Sequence, residues 1–178
     1  MIVAGVIASI TAAVGLANLR LTRKNLEQQR ELEAQRAQGT ALQAYYEQIG
    51  NLLTEYDLRT TKREEIKELA RGQTLTVLQE VDGNGKGNLL TFLHGAGLIG
   101  TGNPAVALTG ADLQGVILFG ANLQGANLQG ADLREAYLRG VNLQGADLQG
   151  AKVTDEWLAE ALARSLQGAT MPDGSKHP

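Results

Sequence analysis

The nine residues "DGNGKGNLL", 82 to 90, are the stretch whose types and spacing come nearest to a metal site. Asp82, Asn84 and Gly87 stand at positions one, three and six of a calcium-binding EF-hand loop, and Leu89 supplies its apolar eighth position. Two ligand positions fail. Lys86 is fifth, where an oxygen belongs, and Leu93 is twelfth, where a bidentate Glu closes the cage. A Gly-rich turn between helices is the better reading, without metal. The spacing of "GNGKGN" is not that of a phosphate-cradling Walker loop either. His94 follows with no second ligand near it, so a capping or packing role is expected. The chain has no cysteine, which excludes thiolate metal sites and thiol catalysis. No paired base and nucleophile and no cofactor loop is present, so the expectation is a protein that is not an enzyme and takes no cofactor.

The elements that carry these residues begin with "MIVAGVIASITAAVGLANL", 1 to 19, which holds no charge. As a helix it would span about 28 Å, near a bilayer core of about 30 Å. Arg20, Arg23 and Lys24 follow, so the positive-inside rule predicts a single-pass membrane anchor with the C-terminal bulk in the cytoplasm. Gly5, Ser9, Ala13 and Ala17 recur every four residues, a small-residue face through which the membrane helix could self-associate into a homo-oligomer. Residues 20–40 read as a polar helical stalk interrupted at Gly39 and Thr40. Residues 41–100 read as a small helical unit. Leu42, Tyr45, Tyr46, Ile49, Leu52, Leu53 and Tyr56 form one amphipathic stripe, and Ile66, Leu69, Ala70, Gln73, Val77 and Val81 form a second after a Thr61–Glu64 capping box. A third short helix is expected near "NLLTFLHGAGLI".

From Val106 to Asp155 the chain changes character. Ten pentads are centred on Leu108, Leu113, Leu118, Leu123, Leu128, Leu133, Leu138, Leu143, Leu148 and Val153. Ala or Val stands two residues before each centre, Asp or Asn precedes six of the centres, and eight pentads end in Gly. Two apolar residues two apart share one side of an extended segment, and Gly then turns a corner. A helix is disfavoured, since a period of five smears Leu around 3.6 residues per turn and each Gly costs about 1 kcal/mol. Repetition winds a coil with Leu and Ala inside.

This pattern resembles the pentapeptide-repeat family. The resemblance implies a mainly β repeat solenoid, a right-handed quadrilateral β-helix with four pentads per coil and so about 2.5 coils over residues 106–155. Solenoids this short need covered ends. Residues 156–178 are expected to provide a C-terminal capping helix, with Trp157, Leu158, Ala161 and Leu162 on one face, and a tail in which Ala169 and Met171 restore the repeat spacing. The segments "RAQGTALQAYYEQIGNLL", "ARGQTLTVLQEVDGNGKGNLLTFLHGAGLI" and "LQGATMPDGSKHP" are similar to a bacterial subgroup of the family with a membrane-anchored N-terminus and a helical segment before the repeats. Gly39 departs from that subgroup, which tends to carry an acid there.

On the outward positions, Ile117, Phe119, Tyr137 and Arg139 interrupt ladders of Asp, Asn and Gln, and they form the candidate protein-contact patch. Some relatives mimic DNA and bind type II topoisomerases, a role that calls for a long acidic rod. Residues 106–155 carry five acids against three bases, which disfavours it, and no nucleic-acid partner is expected. The expected function is a membrane-anchored, cytoplasm-facing interaction or scaffold module with a protein partner. The alternative is a regulatory protein whose helical unit is the working part.

Overall fold

The computed structural model describes residues 2–102, 104–154 and 165–178, with residues 2–13 described by their backbone alone. The chain forms two compact units, Met1–Gly39 and Thr40–Pro178. Helix α1 runs from Ile2 to Glu55 without a break. The expected interruption at Gly39 is thus corrected. One Gly costs only about 1 kcal/mol, and Ala, Gln and Arg on both sides are good helix formers. In the first unit the side chains from Val14 to Ala37 are exposed.

Within the second unit, α1 buries Tyr45, Ile49 and Leu52, which follow one another at three- and four-residue steps. Helix α2, Glu64–Glu80, answers with Ile66, Ala70, Val77 and Leu78. The Tyr45 hydroxyl and Thr74 Oγ1 meet at 2.7 Å in the buried seam, and burial pushes the phenol's pKa up. The Thr61–Glu64 capping box does not form. Arg63 is the N-cap residue and makes no side-chain cap, while Thr61 Oγ1 accepts the Arg63 N–H at 3.3 Å. Glu64 and Glu65 in the first turn supply the negative charge that a helix N-terminus favours.

Helix α3, Gly83–Gly95, takes in residues that the sequence reads as a turn. Asp82 caps it, accepting the Gly85 N–H at 2.8 Å. The glycines that argue against a helix are required by what lies outside it. A Cβ on Gly83 would stand 2.2 Å from the Gly115 carbonyl oxygen, and one on Gly87 would stand 2.0 Å from that of Ile117. Helix and repeat backbone meet without side chains between them.

The repeat region winds into a coil. Parallel bridges join Asp112 to Asp132, Ile117 to Tyr137, Asn122 to Asn142, Asn127 to Asp147 and Asp132 to Lys152, so stacked residues are twenty apart. Hydrogen bonds run from coil to coil: Leu113 N–H to Asp132 O at 2.9 Å, Asp132 N–H to Ala111 O at 2.9 Å. Leu108, Leu113, Leu123, Leu128, Leu133, Leu143 and Leu148 fill the interior, with Ala or Val beside them. Full burial of each such leucine contributes roughly 1.5–3 kcal/mol. Each corner closes on a positive φ, 65° at Gly115; Glu135, where a Gly is replaced, is forced to 59°.

The expected fold class is nevertheless overturned. Among the described residues the regular secondary structure is helical, three helices with no strand and no sheet, and pairing is limited to isolated bridges. The pentad explains this. Only one residue per side bridges to the next coil before two turn residues intervene, so no run of consecutive paired residues builds a strand. The transmembrane part of the expectation falls as well, since no helix among the described residues is long and apolar enough to cross a membrane. The expected C-terminal capping helix falls mainly on residues 155–164, outside the described residues.

Both ends of the coil are covered. At the first, Arg71 Nη2 donates to Thr109 O at 3.0 Å, Lys86 Nζ to Gln114 O at 3.1 Å, and the Ile117 N–H to Gly83 O at 3.0 Å. At the other, Ser165 and Gln167 accept the N–H groups of Leu143 and Gly145, and Thr170 bridges Asp147. The last residues then turn back, with the His177 N–H donating to Ala169 O at 2.9 Å. Open edges that invite pairing with another chain are thus occupied.

Candidate functional site

Among the described residues no group of acids, histidines or cysteines could hold a metal. The stretch weighed as a calcium loop is used structurally. Asp82 caps α3, and Lys86 turns inward to Asp112 Oδ1 at 3.2 Å. His94 lies in the last turn of α3 with a buried Nδ1 that has no hydrogen-bond partner.

The outer surface of the coil has its own local rule. In six pentads the residue before the leucine centre folds its side-chain oxygen back onto the N–H two residues on. Gln114 donates to Asp112 at 3.1 Å, Gln124 to Asn122 at 3.0 Å, Gln129 to Asn127 at 3.2 Å, Arg134 to Asp132 at 3.3 Å, Gln144 to Asn142 at 3.0 Å and Gln149 to Asp147 at 3.1 Å. These are Asx turns, in which a short polar side chain stands in for a backbone acceptor. Aspartate and asparagine recur at this position because their oxygen reaches that N–H. The sequence pattern shows the residues; it does not show this bond.

One face departs from the rule. Ile117 and Tyr137 occupy the capping position there, stacked on each other by a parallel bridge. Neither side chain offers an oxygen to its own turn. Phe119 is 65% exposed and Tyr137 59% exposed, with ring centroids 6.5 Å apart. Arg139 is exposed beside them and makes no ion pair among the described residues. Ile117 is half-buried because its Cγ1 stands 3.4 Å from the position a Cβ on Gly83 would take. The structure therefore brings Phe119 and Tyr137 together on an open face and packs Ile117 partly under α3.

Of the proposed membrane-helix packing face, the side chains of Gly5, Ser9 and Ala13 lie outside the described residues, and Ala17 is exposed on α1. A second concavity, about 490 Å³, lies between α1 and α2, lined by Ala41, Ala44, Tyr45, Leu69, Gly72 and Gln73 among others. The sequence shows the two stripes but not this trough, which exists because Ala and Gly face each other across the helices. Glu68 and Glu80 also line it.

Residues 117–155 match the family model described as pentapeptide repeats, in eight copies. No curated protein matches the chain. Among solved structures, it is similar to HetL, a pentapeptide repeat protein involved in heterocyst differentiation regulation from the cyanobacterium Nostoc sp. strain PCC 7120. The identity is 36% over 44% of this chain and 42% of that one, with a TM-score of 0.28. It is also similar to a pentapeptide repeat protein from the Arabidopsis thaliana thylakoid lumen, 25% identical over 45% of this chain and 76% of that one, with a TM-score of 0.20. The chain thus spans less than half the length of HetL. Residues 117–155 are thus a run of pentapeptide repeats.

Proposed function

We propose that this protein is a non-catalytic interaction module that binds a protein partner through the face of Phe119, Tyr137 and Arg139. A scaffold or regulatory role follows from that reading, and HetL's described part in the regulation of differentiation is in keeping with it. The observation that carries the proposal is the pair of neighbouring aromatic rings left exposed on a coil whose other outward positions are mostly polar. Exposed aromatic clusters are favoured anchors in interfaces, where a few such residues supply most of the binding energy. The membrane anchor does not enter this reading, because no helix among the described residues is long and apolar enough to cross a bilayer.

A photo-crosslinking phenylalanine analogue placed at position 119 of the full chain tests this. The expected result is one dominant crosslinked protein from native cells, absent when the analogue sits at exposed position 124. Diffuse or equal crosslinking from both positions overturns it. The trough between α1 and α2, with Leu69 exposed on its rim, favours a second reading in which the helical unit binds the partner. The same analogue at position 69 would then give the dominant species.

A further inference from the structure

On the face of Ile117 and Tyr137, two pentads without a capping oxygen leave two donors unused. In the six pentads with Asp or Asn before the centre, the N–H two residues on is held by that outward side-chain oxygen. The equivalent groups on this face are the N–H groups of Phe119 and Arg139, and neither has a partner among the described residues. Their backbones belong to stacked coils, joined by the Ile117–Tyr137 bridge and by the Gly120 N–H to Arg139 O bond at 3.0 Å. Repeat equivalence points both N–H groups outward, one coil apart, about 4.8 Å. Around them stand the Phe119 and Tyr137 rings and the Arg139 side chain.

We propose that this face is a carboxylate-binding ledge that takes an acidic, apolar segment of the partner protein, a reading that rests on the interaction function above. The partner's carboxylate oxygens occupy the places that Asp and Asn oxygens hold on the other faces. The Arg139 guanidinium neutralises the incoming charge, and charge-assisted bonds of this kind are roughly twice as strong as neutral ones. The two rings pack against the apolar side chains that flank the carboxylate. A nucleic-acid backbone fits poorly. Polyanion binding is built on many cations, whereas residues 106–155 hold five acids against three bases and Arg134 is already paired with Asp132.

The test is a titration of the isotopically labelled full chain with two synthetic peptides, one of alternating leucine and glutamate and one with glutamine in place of glutamate, followed by amide NMR. The acidic peptide is expected to move the Phe119 and Arg139 amide protons downfield with saturation, and the glutamine peptide to bind at least about tenfold more weakly. Arg139→Gln should remove most of that discrimination. Tyr137→Asn, which gives Arg139's N–H an acceptor of its own as Asn142 does for Gln144, should abolish the shift at Arg139 while the other coil amides keep their positions. Equal binding of the two peptides overturns the proposal, as does the same pair of shifts from duplex DNA, from inorganic phosphate or from raising the protein concentration alone. If crosslinking from position 119 succeeds while the peptides bind alike, the contact face stands and the carboxylate ledge falls.

Discussion

The Lys86 ammonium lies 3.2 Å from Asp112 Oδ1 and 3.1 Å from the Gln114 carbonyl oxygen, with its side chain only 8% exposed. A helix cation thereby satisfies two acceptors on the first coil that no earlier coil can reach. Lys86→Met keeps the stem's volume and removes the charge, leaving the carbonyl without its donor. The expected loss is about 1 kcal/mol, the net worth of a hydrogen bond whose acceptors, Asp112 and Gln114, stay partly open to water. Chemical denaturation checks it, and a shift within 0.3 kcal/mol (roughly the additivity error of such measurements) would show that water replaces the ammonium there.

Gly72 and Gly87 look interchangeable as helix glycines, yet they should respond oppositely to alanine. Nothing lies within 4 Å of a Cβ on Gly72, so Gly72→Ala should gain about 0.5–1 kcal/mol from helix propensity. Gly87→Ala drives a methyl into the Ile117 carbonyl oxygen and should cost about 1–3 kcal/mol or more as α3 lifts from the coil. Thermal melts of the two variants decide it; a common sign for both would mean the α3 contact is looser than described.

Glu135 is the one coil corner among the described pentads where a residue other than Gly takes positive φ, at 59°. Among the described residues its side chain accepts a 3.3 Å bond from Gln114 Nε2 on the exposed surface. Relief of the left-handed strain should therefore dominate, and Glu135→Gly is expected to stabilise by about 1 kcal/mol. A lowered melting temperature would show that the Gln114 contact matters more than the corner.

Asp132 gives the chain a pH dependence. The Arg134 guanidinium 2.6 Å away, helped by the Arg134 N–H and by Lys152, holds its carboxyl down at about 2. Its side chain is 17% exposed, so solvent screens the pair only in part. A depressed folded-state pKa contributes stability above the unfolded value near 4 and loses it as pH falls from about 4 to 2. Asp132→Asn retains the Asx turn that Asn122 and Asn142 make, and gives up only the charge. The variant should be less stable by about 1–2 kcal/mol at pH 7 and level with the parent at pH 2. A gap that is constant with pH would assign the loss to packing.

How much was legible in the residues follows the range of the forces involved. The twenty-residue stacking was readable because every pentad repeats one local solution, Leu and Ala inward and Gly at the corner. The inward register agrees at Leu128 and Ala126, both fully buried. The strands expected from it were not there, because the period shows where side chains point but not how few residues per side can pair. The start of helix α3 is hidden because Gly83, Gly85 and Gly87 are poor helix formers alone; contact with a backbone about thirty residues later selects Gly83 and Gly87, and the Val81 side chain crowds a Cβ on Gly85. On the candidate face, the outward position of Phe119 and Tyr137 is legible in the sequence, but whether helices cover the face is not; the partial cover of Ile117 depends on that same α3 contact.

Gln124 and Gln129 occupy the same position in successive pentads, and sequence alone treats them as one. In the structure Gln124 is exposed and only its backbone N–H is bonded, to Asn122. Gln129 reaches across to Asp147, Nε2 to Oδ2 at 2.6 Å. Gln124→Asp should be close to silent, within about 0.5 kcal/mol as for an ordinary surface change. Gln129→Asp trades a donor for a second carboxylate beside Asp147 and should cost about 1–2 kcal/mol, less at high salt where the repulsion is screened. Leu128→Asp sets the upper end, since a carboxylate among stacked leucines has no partner and should unfold the coil outright. Urea melts of the three variants at low and high salt test the ordering, and equal losses for the two glutamines would place the Gln129 side chain in solvent.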